Sequence, residues 1–329
     1  MAFSNPGDTD QVSAAEIAAA VAALERGDLV VLPTETVYGL AADATSPTAV
    51  ARIYAVKGRP ADHPLILHVA TADDFAPWVR DVPEWAQQLA GRAWPGPLTL
   101  VLPRSDQVGD WVTGGQDTVA IRVPDHGVAR AILTGFGRAV AAPSANRFGH
   151  VSPTSADHVR RDLAELLDPD RDVVVDGGDC QVGVESTIVD ATGSAPVILR
   201  PGQFGTADIE RMAGVAVTAT RAAAPRVSGS LTSHYAPRAH VVWGLPPSDH
   251  TTATGLIAPA VVPTPPGVVR LMAPSDTRDY ARRLYWALRE ADALRLQTVF
   301  VLPPEGDDGL AHAVRDRLTR AAAAAQSQP

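Results

Sequence analysis

From Arg221 to Pro237 the chain follows neither the period of a helix nor the alternation of a strand, although strand and helix patterns run on both sides of it. A chain interrupted in this way has two sets of elements to bury, and 329 residues are enough for two cores. The expected organisation is a flexible N-terminus over 1–12, a larger unit over 13–220, a connector over 221–238 and a smaller unit over 239–329.

In the larger unit, Ser13-Ala14-Ala15-Glu16 is a capping-box pattern ahead of Ile17, Val21 and Leu24, with Gly27 as the stop. Apolar runs at 29–33, 64–69, 98–102, 118–123, 139–142, 172–176, 186–190 and 196–199 read as strands. Helical patterns fall at 47–56, 84–93, 128–133 and 155–167. The alternation has no regular strand-helix-strand repeat, so the expected class is α/β of irregular, α+β-like layering. After the connector, strands near Val241, 255–257, 268–272 and 298–302 combine with helices over 277–293 and 310–325, the pattern of a small α/β unit with a parallel sheet.

Composition narrows the function. A single cysteine, Cys180, rules out an internal disulfide framework and any Cys-rich zinc site. The first residues lack a basic start and an apolar core, and the most apolar stretch, 256–272, is broken by Pro259, Pro263, Pro265 and Pro266. A cytoplasmic protein is expected. The net charge of −9 opposes a broad nucleic-acid-binding face while allowing one local basic pocket.

Of 28 Lys plus Arg residues, 27 are arginine, and asparagine occurs only at Asn5 and Asn146. A lone lysine where arginine is the habit suggests either a site needing a compact ammonium or chance retention on the surface. No Gly-x-x-x-x-Gly-Lys-Ser/Thr loop and no Gly-x-Gly-x-x-Gly after a strand is present. Small polar and cationic residues gather at strand ends instead. Lys57 and Arg59 lie two apart on a Gly/Pro-shaped loop, where both can face one anion or form a solvated loop. Ser144-Ala145-Asn146 offers a hydroxyl and an amide, or a cap or turn. Arg122 is a charge within a β-run, His68 reads as either a half-buried histidine or a ligand, and Arg200 precedes Pro201-Gly202.

Seven segments in order, Pro33 to Leu40 (PTETVYGL), Lys57 to Pro60 (KGRP), Pro64 to His68 (PLILH), Trp94 to Thr99 (WPGPLT), Ser144 to Asn146 (SAN), Glu185 to Ile188 (ESTI) and Leu199 to Gly202 (LRPG), resemble the YrdC-like family over roughly residues 13–216. The connector ending in His234-Tyr235-Ala236-Pro237, with an α/β unit after it, resembles the two-domain threonylcarbamoyl-AMP synthases. The resemblance implies an open twisted sheet with a concave cleft, a small Rossmann-like C-terminal unit, and a connector able to lie over the site.

The resemblance also implies condensation of L-threonine, bicarbonate and ATP to threonylcarbamoyl-AMP and pyrophosphate, with Mg2+ accompanying ATP and a downstream tRNA threonylcarbamoyl-transfer machinery. Lys57 and Arg59 are then the catalytic, phosphate-facing pair. His63, Thr118, Asn146, Thr154, Arg200 and Tyr235 join them as nucleotide contacts, and Thr36, His68, Arg122, Ser144 and Ser186 are threonine contacts. No protein metal ligand is implied. Arg122 suits the threonine carboxylate by its planar fork. Lys57→Arg is expected to lose most activity with the fold intact. The sequence departs from the family at His63, where many relatives carry Asn, and at Ser228-Gly229-Ser230-Leu231, where Ser-Pro-Gly-Met is more familiar. The competing readings are an RNA-binding module for tRNA or double-stranded RNA, and a carbamoyl-transfer domain of the hydrogenase-maturation type, which would bring Cys-rich zinc motifs.

Overall fold

The structure, a computed structural model, describes residues 12–219, 224–229, 235–250 and 253–324. The expected N-terminal tail, except Val12, lies outside the described residues, as do His234 and the Ser230-Leu231 half of the altered connector motif.

Helix α1 (Ala14–Glu25) begins at the capping box: Ser13 Oγ accepts from the Glu16 amide, and the Glu16 carboxylate accepts from the Ser13 amide. The chain continues through β1 (Val30–Leu32), β2 (Gly39–Asp43), α2 (Pro47–Lys57), β3 (Ile66–His68), a 3-10 helix over Ala72–Trp78, α3 (Glu84–Ala93), β4 (Leu98–Pro103) and α4 (Asp110–Thr113). Then follow β5 (Thr118–Arg122), α5 (Gly127–Phe136), β6 (Val140–Ala141), α6 (Ala156–Leu163), β7 (Val173–Val174), β8 (Thr187–Asp190), β9 (Val197–Arg200) and α7 (Thr206–Ala213). The nine strands form one mixed sheet in the order β7-β1-β2-β6-β3-β5-β4-β8-β9. Its parallel pairs, β1 with β7, β3 with β5 and β4 with β8, sit among antiparallel ones, the irregular layering read from the sequence.

The second unit holds β10 (His240–Trp243), β11 (Thr254–Ile257), β12 (Val269–Met272), α8 (Thr277–Ala293), β13 (Thr298–Val301) and α9 (Gly309–Ala324). Its sheet, ordered β10-β13-β11-β12, is wholly parallel. Among the described residues no helix is long and apolar enough to cross a membrane.

Four elements, the 3-10 helix over Ala72–Trp78 among them, have no counterpart in the sequence patterns. Strand β2 begins inside the PTETVYGL segment and runs past it, and Gly39-Leu40-Ala41-Ala42-Asp43 is buried throughout and lacks alternation. Helices α4 and α7 are too short to show a period, at 4 and 8 residues.

Strand alternation positions the site. In β3 and its approach, Leu65, Leu67 and Val69 enter the main core, while Ile66 and His68 face the other way. In β5 and just after it, Val119, Ile121 and Val123 enter the core, while Ala120 and Arg122 lie on the His68 face. The parallel register sets Ile66 beside Ala120 and His68 beside Arg122. One sheet face is therefore committed to apolar packing, and the other carries the polar groups of a cleft.

Gly202, just past β9, has no room for a side chain, since an added Cβ would stand 2.2 Å from the Thr187 amide nitrogen at the start of β8. Gly202→Ala is expected to lower stability by about 1–3 kcal/mol, read as a shifted urea midpoint. An unchanged midpoint would mean the two strand ends are not held this tightly.

Candidate functional site

Strand ends and one stretch of connector converge on a cavity of about 50 Å3, lined by Thr34, Thr36, Arg59, His68, Arg122, Ser144, Glu185, Ser186 and Arg200, with Ser228, Gly229 and Tyr235 from the connector. This is far below the roughly 300–1,000 Å3 of small-molecule sites, because the connector occupies the cleft. Ser228 accounts for much of it. Its Oγ accepts from Arg59 Nη2 at 3.1 Å and its carbonyl accepts from Arg200 Nη1 at 3.0 Å, so one connector residue supplies oxygens to two buried cations. Val227 packs with Ile66, Val101, Ala120 and Ile188, seating the connector on the cleft face.

The buried cations are otherwise held by carbonyls. Arg59 donates to the Pro64 carbonyl at 2.9 Å, and burial brings its pKa down to about 10, leaving it charged at neutral pH. Arg200 donates twice to the Ser186 carbonyl, at 3.1 and 3.0 Å, and once to Ser186 Oγ at 3.0 Å. Ser186 Oγ also lies 2.7 Å from Thr99 Oγ1.

Arg122 is not a free fork. It is ion-paired with Glu35 at 2.6 Å and donates to Thr36 Oγ1 at 2.7 Å and to the Gly96 carbonyl at 3.3 Å. Two of its five N–H groups donate to protein acceptors, Nη2 meets Glu35 as an ion pair without a hydrogen bond, and its charge is balanced inside the site. Glu35 belongs to the PTETVYGL segment, and the resemblance assigns it no role. A carboxylate next to two threonines was the available signal that a nearby cation would be neutralised.

His68 Nδ1 stands 3.2 Å from the Ile66 carbonyl. A carbonyl only accepts, so Nδ1 carries the proton in the neutral ring and Nε2 presents a lone pair. Burial, reinforced by Arg122, pushes the His68 pKa down to about 3, so the ring is neutral at physiological pH.

Lys57 departs from expectation. Gly58 adopts the left-handed conformation that caps α2, with φ 61°, and turns the chain between Lys57 and Arg59, so the two cations diverge. Arg59 reaches the cavity, whereas the fully buried Lys57 ammonium donates to the Ser144 and Asn146 carbonyls. Burial, with Arg59 second, holds its pKa well below the usual lysine value. The lone lysine ties helix α2 to the Ser144-Ala145-Asn146 turn from behind.

Four further expected contacts lie outside the cavity lining. Asn146 is buried and its amide donates to the Arg147 and His150 carbonyls. Its Oδ1 has no hydrogen-bond partner in the structure. Thr154 bonds through its amide nitrogen to His158 Nδ1 at 3.2 Å. His63 lies edge-on to Phe148, with ring centroids 5.1 Å apart. Thr118 shares the cleft face but opens into a separate small pocket beside Gln116, Arg226 and Val227. The structure thus gathers Thr36, Arg59, His68, Arg122, Ser144, Ser186, Arg200 and Tyr235 around one cavity and leaves Lys57, His63, Thr118, Asn146 and Thr154 outside its lining.

Two findings connect this arrangement to known proteins. The Sua5/YciO/YrdC family model, described as "Telomere recombination", matches residues 22–202. The model "Threonylcarbamoyl-AMP synthase, C-terminal domain" matches residues 205–323. The chain belongs to the Sua5/YciO/YrdC family.

Among curated members of this family, a threonylcarbamoyl-AMP synthase of Pyrococcus abyssi is 45% identical over 224 residues, 67% of this chain and 65% of the relative. One from Bacillus subtilis is 45% identical over 209 residues, 63% of this chain and 59% of the relative. The matched stretches therefore span about two thirds or less of these relatives. The crystal structure of P. abyssi Sua5 complexed with L-threonine superposes with a TM-score of 0.82 at 37% identity, covering 94% of this chain and 95% of that one. The fold is that of a two-domain Sua5-type member of the family.

Two outcomes follow. A guanidinium at position 57 is too broad for a buried slot closed by two carbonyls, so Lys57→Arg is expected to lower stability by about 1–3 kcal/mol. This revises the expectation of an intact fold, and a wild-type urea midpoint would refute it. Burial also drops His158 to about 3. His68 and His158 stay unprotonated in the folded state below the pH at which the unfolded chain binds their protons, so the stability their neutral forms contribute is present above about 6.5 and declines as pH falls toward 3. Urea midpoints measured between pH 7.5 and pH 5 should fall, and by less in His158→Gln. A flat profile would contradict the assignment.

Proposed function

We propose that this protein is a threonylcarbamoyl-AMP synthase, which joins L-threonine, bicarbonate and ATP into threonylcarbamoyl-AMP with release of pyrophosphate. The observation that carries this is the pairing, on one sheet face, of a two-arginine anion site at Arg59 and Arg200 with the amino-acid-sized polar corner of Thr36, His68, Arg122, Ser144 and Ser186. The curated relatives bear that name, and the P. abyssi relative is described in complex with L-threonine.

The chemistry asks little of an enzyme nucleophile. Threonine's amine and bicarbonate give a carbamate and water; a carbamate oxygen then attacks the α-phosphorus while the bond to pyrophosphate breaks. Positioning and stabilisation of charge carry such a reaction. Arg59 and Arg200 already bind the oxygens of Ser228, and phosphate oxygens are the stronger acceptors for the same N–H groups. The connector must withdraw Ser228 for ATP to enter. Lys57 contributes by fixing the Ser144–Asn146 turn.

At the threonine end, His68 Nε2 offers an acceptor to the amine or hydroxyl. The Arg122 N–H groups that do not donate to Thr36 and Gly96 remain for the carboxylate, with Glu35 ion-paired beside them. Mg2+ would enter with ATP as the MgATP substrate. Arg59, Arg122 and Arg200 are each at most 8% exposed, which suits an interior ligand and not an RNA-binding face. The product would pass to a tRNA threonylcarbamoyl-transfer machinery.

The test is pyrophosphate release from ATP with L-threonine and bicarbonate omitted in turn. Release is expected only with both present, and Arg59→Met is expected to reduce it by about 100-fold or more. Equal release without threonine would overturn the substrate assignment.

A further inference from the structure

A second cavity, of about 540 Å3, opens at the far end of three adjacent strands that reach the cleft. Strands β2 and β3 start at the cleft, with Gly39 and Ile66 in its lining, and β6 runs back toward it to Ala142 and Ser144. The second cavity takes the other ends, at Thr45 beyond β2, Val69 to Thr71 beyond β3, and Ala139 ahead of β6. Its volume falls within the roughly 300–1,000 Å3 of small-molecule sites. None of its lining residues lines the cleft.

The polar groups around it are unequally satisfied. Arg138 is committed: it donates to Asp43 Oδ2 at 2.9 Å, and its guanidinium carbon lies 4.3 Å from the Phe136 ring centre. The Thr45 hydroxyl donates to Asp43 Oδ1 and the Thr71 hydroxyl to Asp74 Oδ2, each at 2.7 Å. Both threonines therefore turn only lone pairs toward a ligand. Asp73 and Asp74, exposed on the 3-10 helix over Ala72–Trp78, form no ion pair among the described residues. Arg138 and Asp43 cancel, so these two carboxylates leave the lining net negative and rich in acceptors.

One donor is left over. Trp78 ends the same 3-10 helix, is 8% exposed and lines the cavity, and its indole N–H makes no hydrogen bond among the described residues. The indole N–H groups of Trp85, Trp94 and Trp111 each donate to a backbone carbonyl. A nearly buried donor without an acceptor is costly until a ligand or water meets it. Val69, Ala70, Leu133 and Ala139 complete the lining with apolar surface.

We propose that this cavity is a second small-molecule site, which takes an organic ammonium carrying an apolar body and one acceptor oxygen. The ammonium meets the Asp73 and Asp74 carboxylates. The body lies against the Trp78 ring and Leu133, and the oxygen accepts from Trp78 Nε1. An anion of the same shape is rejected by the two free carboxylates. The proposal does not depend on the reading of the cleft as a synthase site.

The test is a ligand-observed NMR titration of the full chain with tyramine. Its comparators are tyrosol and 4-hydroxyphenylacetate, which replace the ammonium by a hydroxyl and a carboxylate, and phenethylamine, which lacks the phenol oxygen. Tyramine should bind saturably with a Kd on the order of 1 mM. Tyrosol and phenethylamine should bind about fivefold more weakly, and 4-hydroxyphenylacetate should not saturate. Asp73→Asn, an exposed change, should weaken tyramine about fivefold and leave tyrosol unchanged. Trp78→Phe keeps a ring and should bring tyramine to the level of phenethylamine. Saturating L-threonine should displace none of the tyramine.

No saturable binding of tyramine would overturn the proposal, and so would equal affinity for the ammonium, alcohol and carboxylate, the mark of a featureless apolar pocket. Tyramine binding that Asp73→Asn leaves unchanged, or that L-threonine abolishes, would place the ligand elsewhere and overturn it as well. If Trp78→Phe does not fold, tyramine against phenethylamine on the wild-type chain decides the role of the indole N–H.

Discussion

A buried guanidinium cannot be left without oxygen, and the cleft is organised around four of them. Arg59, Arg122, Arg200 and Arg317 are all buried, and each has been taken from water into an interior where an unpaired charge is costly. The partners are specific: Glu35 for Arg122, the Ser186 carbonyl for Arg200, Glu185 for Arg317, and the Pro64 carbonyl with Ser228 for Arg59. The two carboxylates offset two cations and leave Arg59 and Arg200 as the net positive pair. These are the two that reach for connector oxygens, which gives the site its character as an anion receptor.

The same need explains why the connector closes as it does. Ser228 satisfies Arg59 and Arg200 together, so the closed arrangement and the anion-bound arrangement compete for the same N–H groups. The second unit enters through Glu185. Its charge is stabilised chiefly by Arg317, with Arg200, Ser152 and Arg317's hydrogen bond adding to it, and these bring its pKa down to about 2 against the opposing effect of burial. A carboxylate so firmly ionised is no proton carrier at neutral pH. It is a fixed negative post to which two helices of the second unit are attached.

Lys57 shows how a compositional signal can single out a residue without giving its direction. Its rarity among 27 arginines marks a position where an ammonium and a guanidinium are not interchangeable. The geometry supplies the reason: a compact head fits between the Ser144 and Asn146 carbonyls, where a planar fork would not. The demand for a lysine was legible, but the direction of the side chain was not, because it depends on the left-handed turn at Gly58.

The sequence by itself determined the two-unit organisation, the parallel second sheet and most of the strands and helices. Period-two alternation and ordered motifs are local properties, and local chemistry decides them. Ser13 with Glu16 and helix α8 at Thr277–Ala293 were readable in this way. Tertiary structure decided the pairing of charges. Glu35 meets Arg122 across 87 positions, and Arg317 meets Glu185 across 132, and no local pattern encodes such a distance. One trace was present, since Arg317 lies on the buried stripe of α9 with Val314, Leu318 and Ala321, an arginine where an apolar residue is the rule. That position implied a buried partner; only the folded chain could say that the partner was a wall of the cleft.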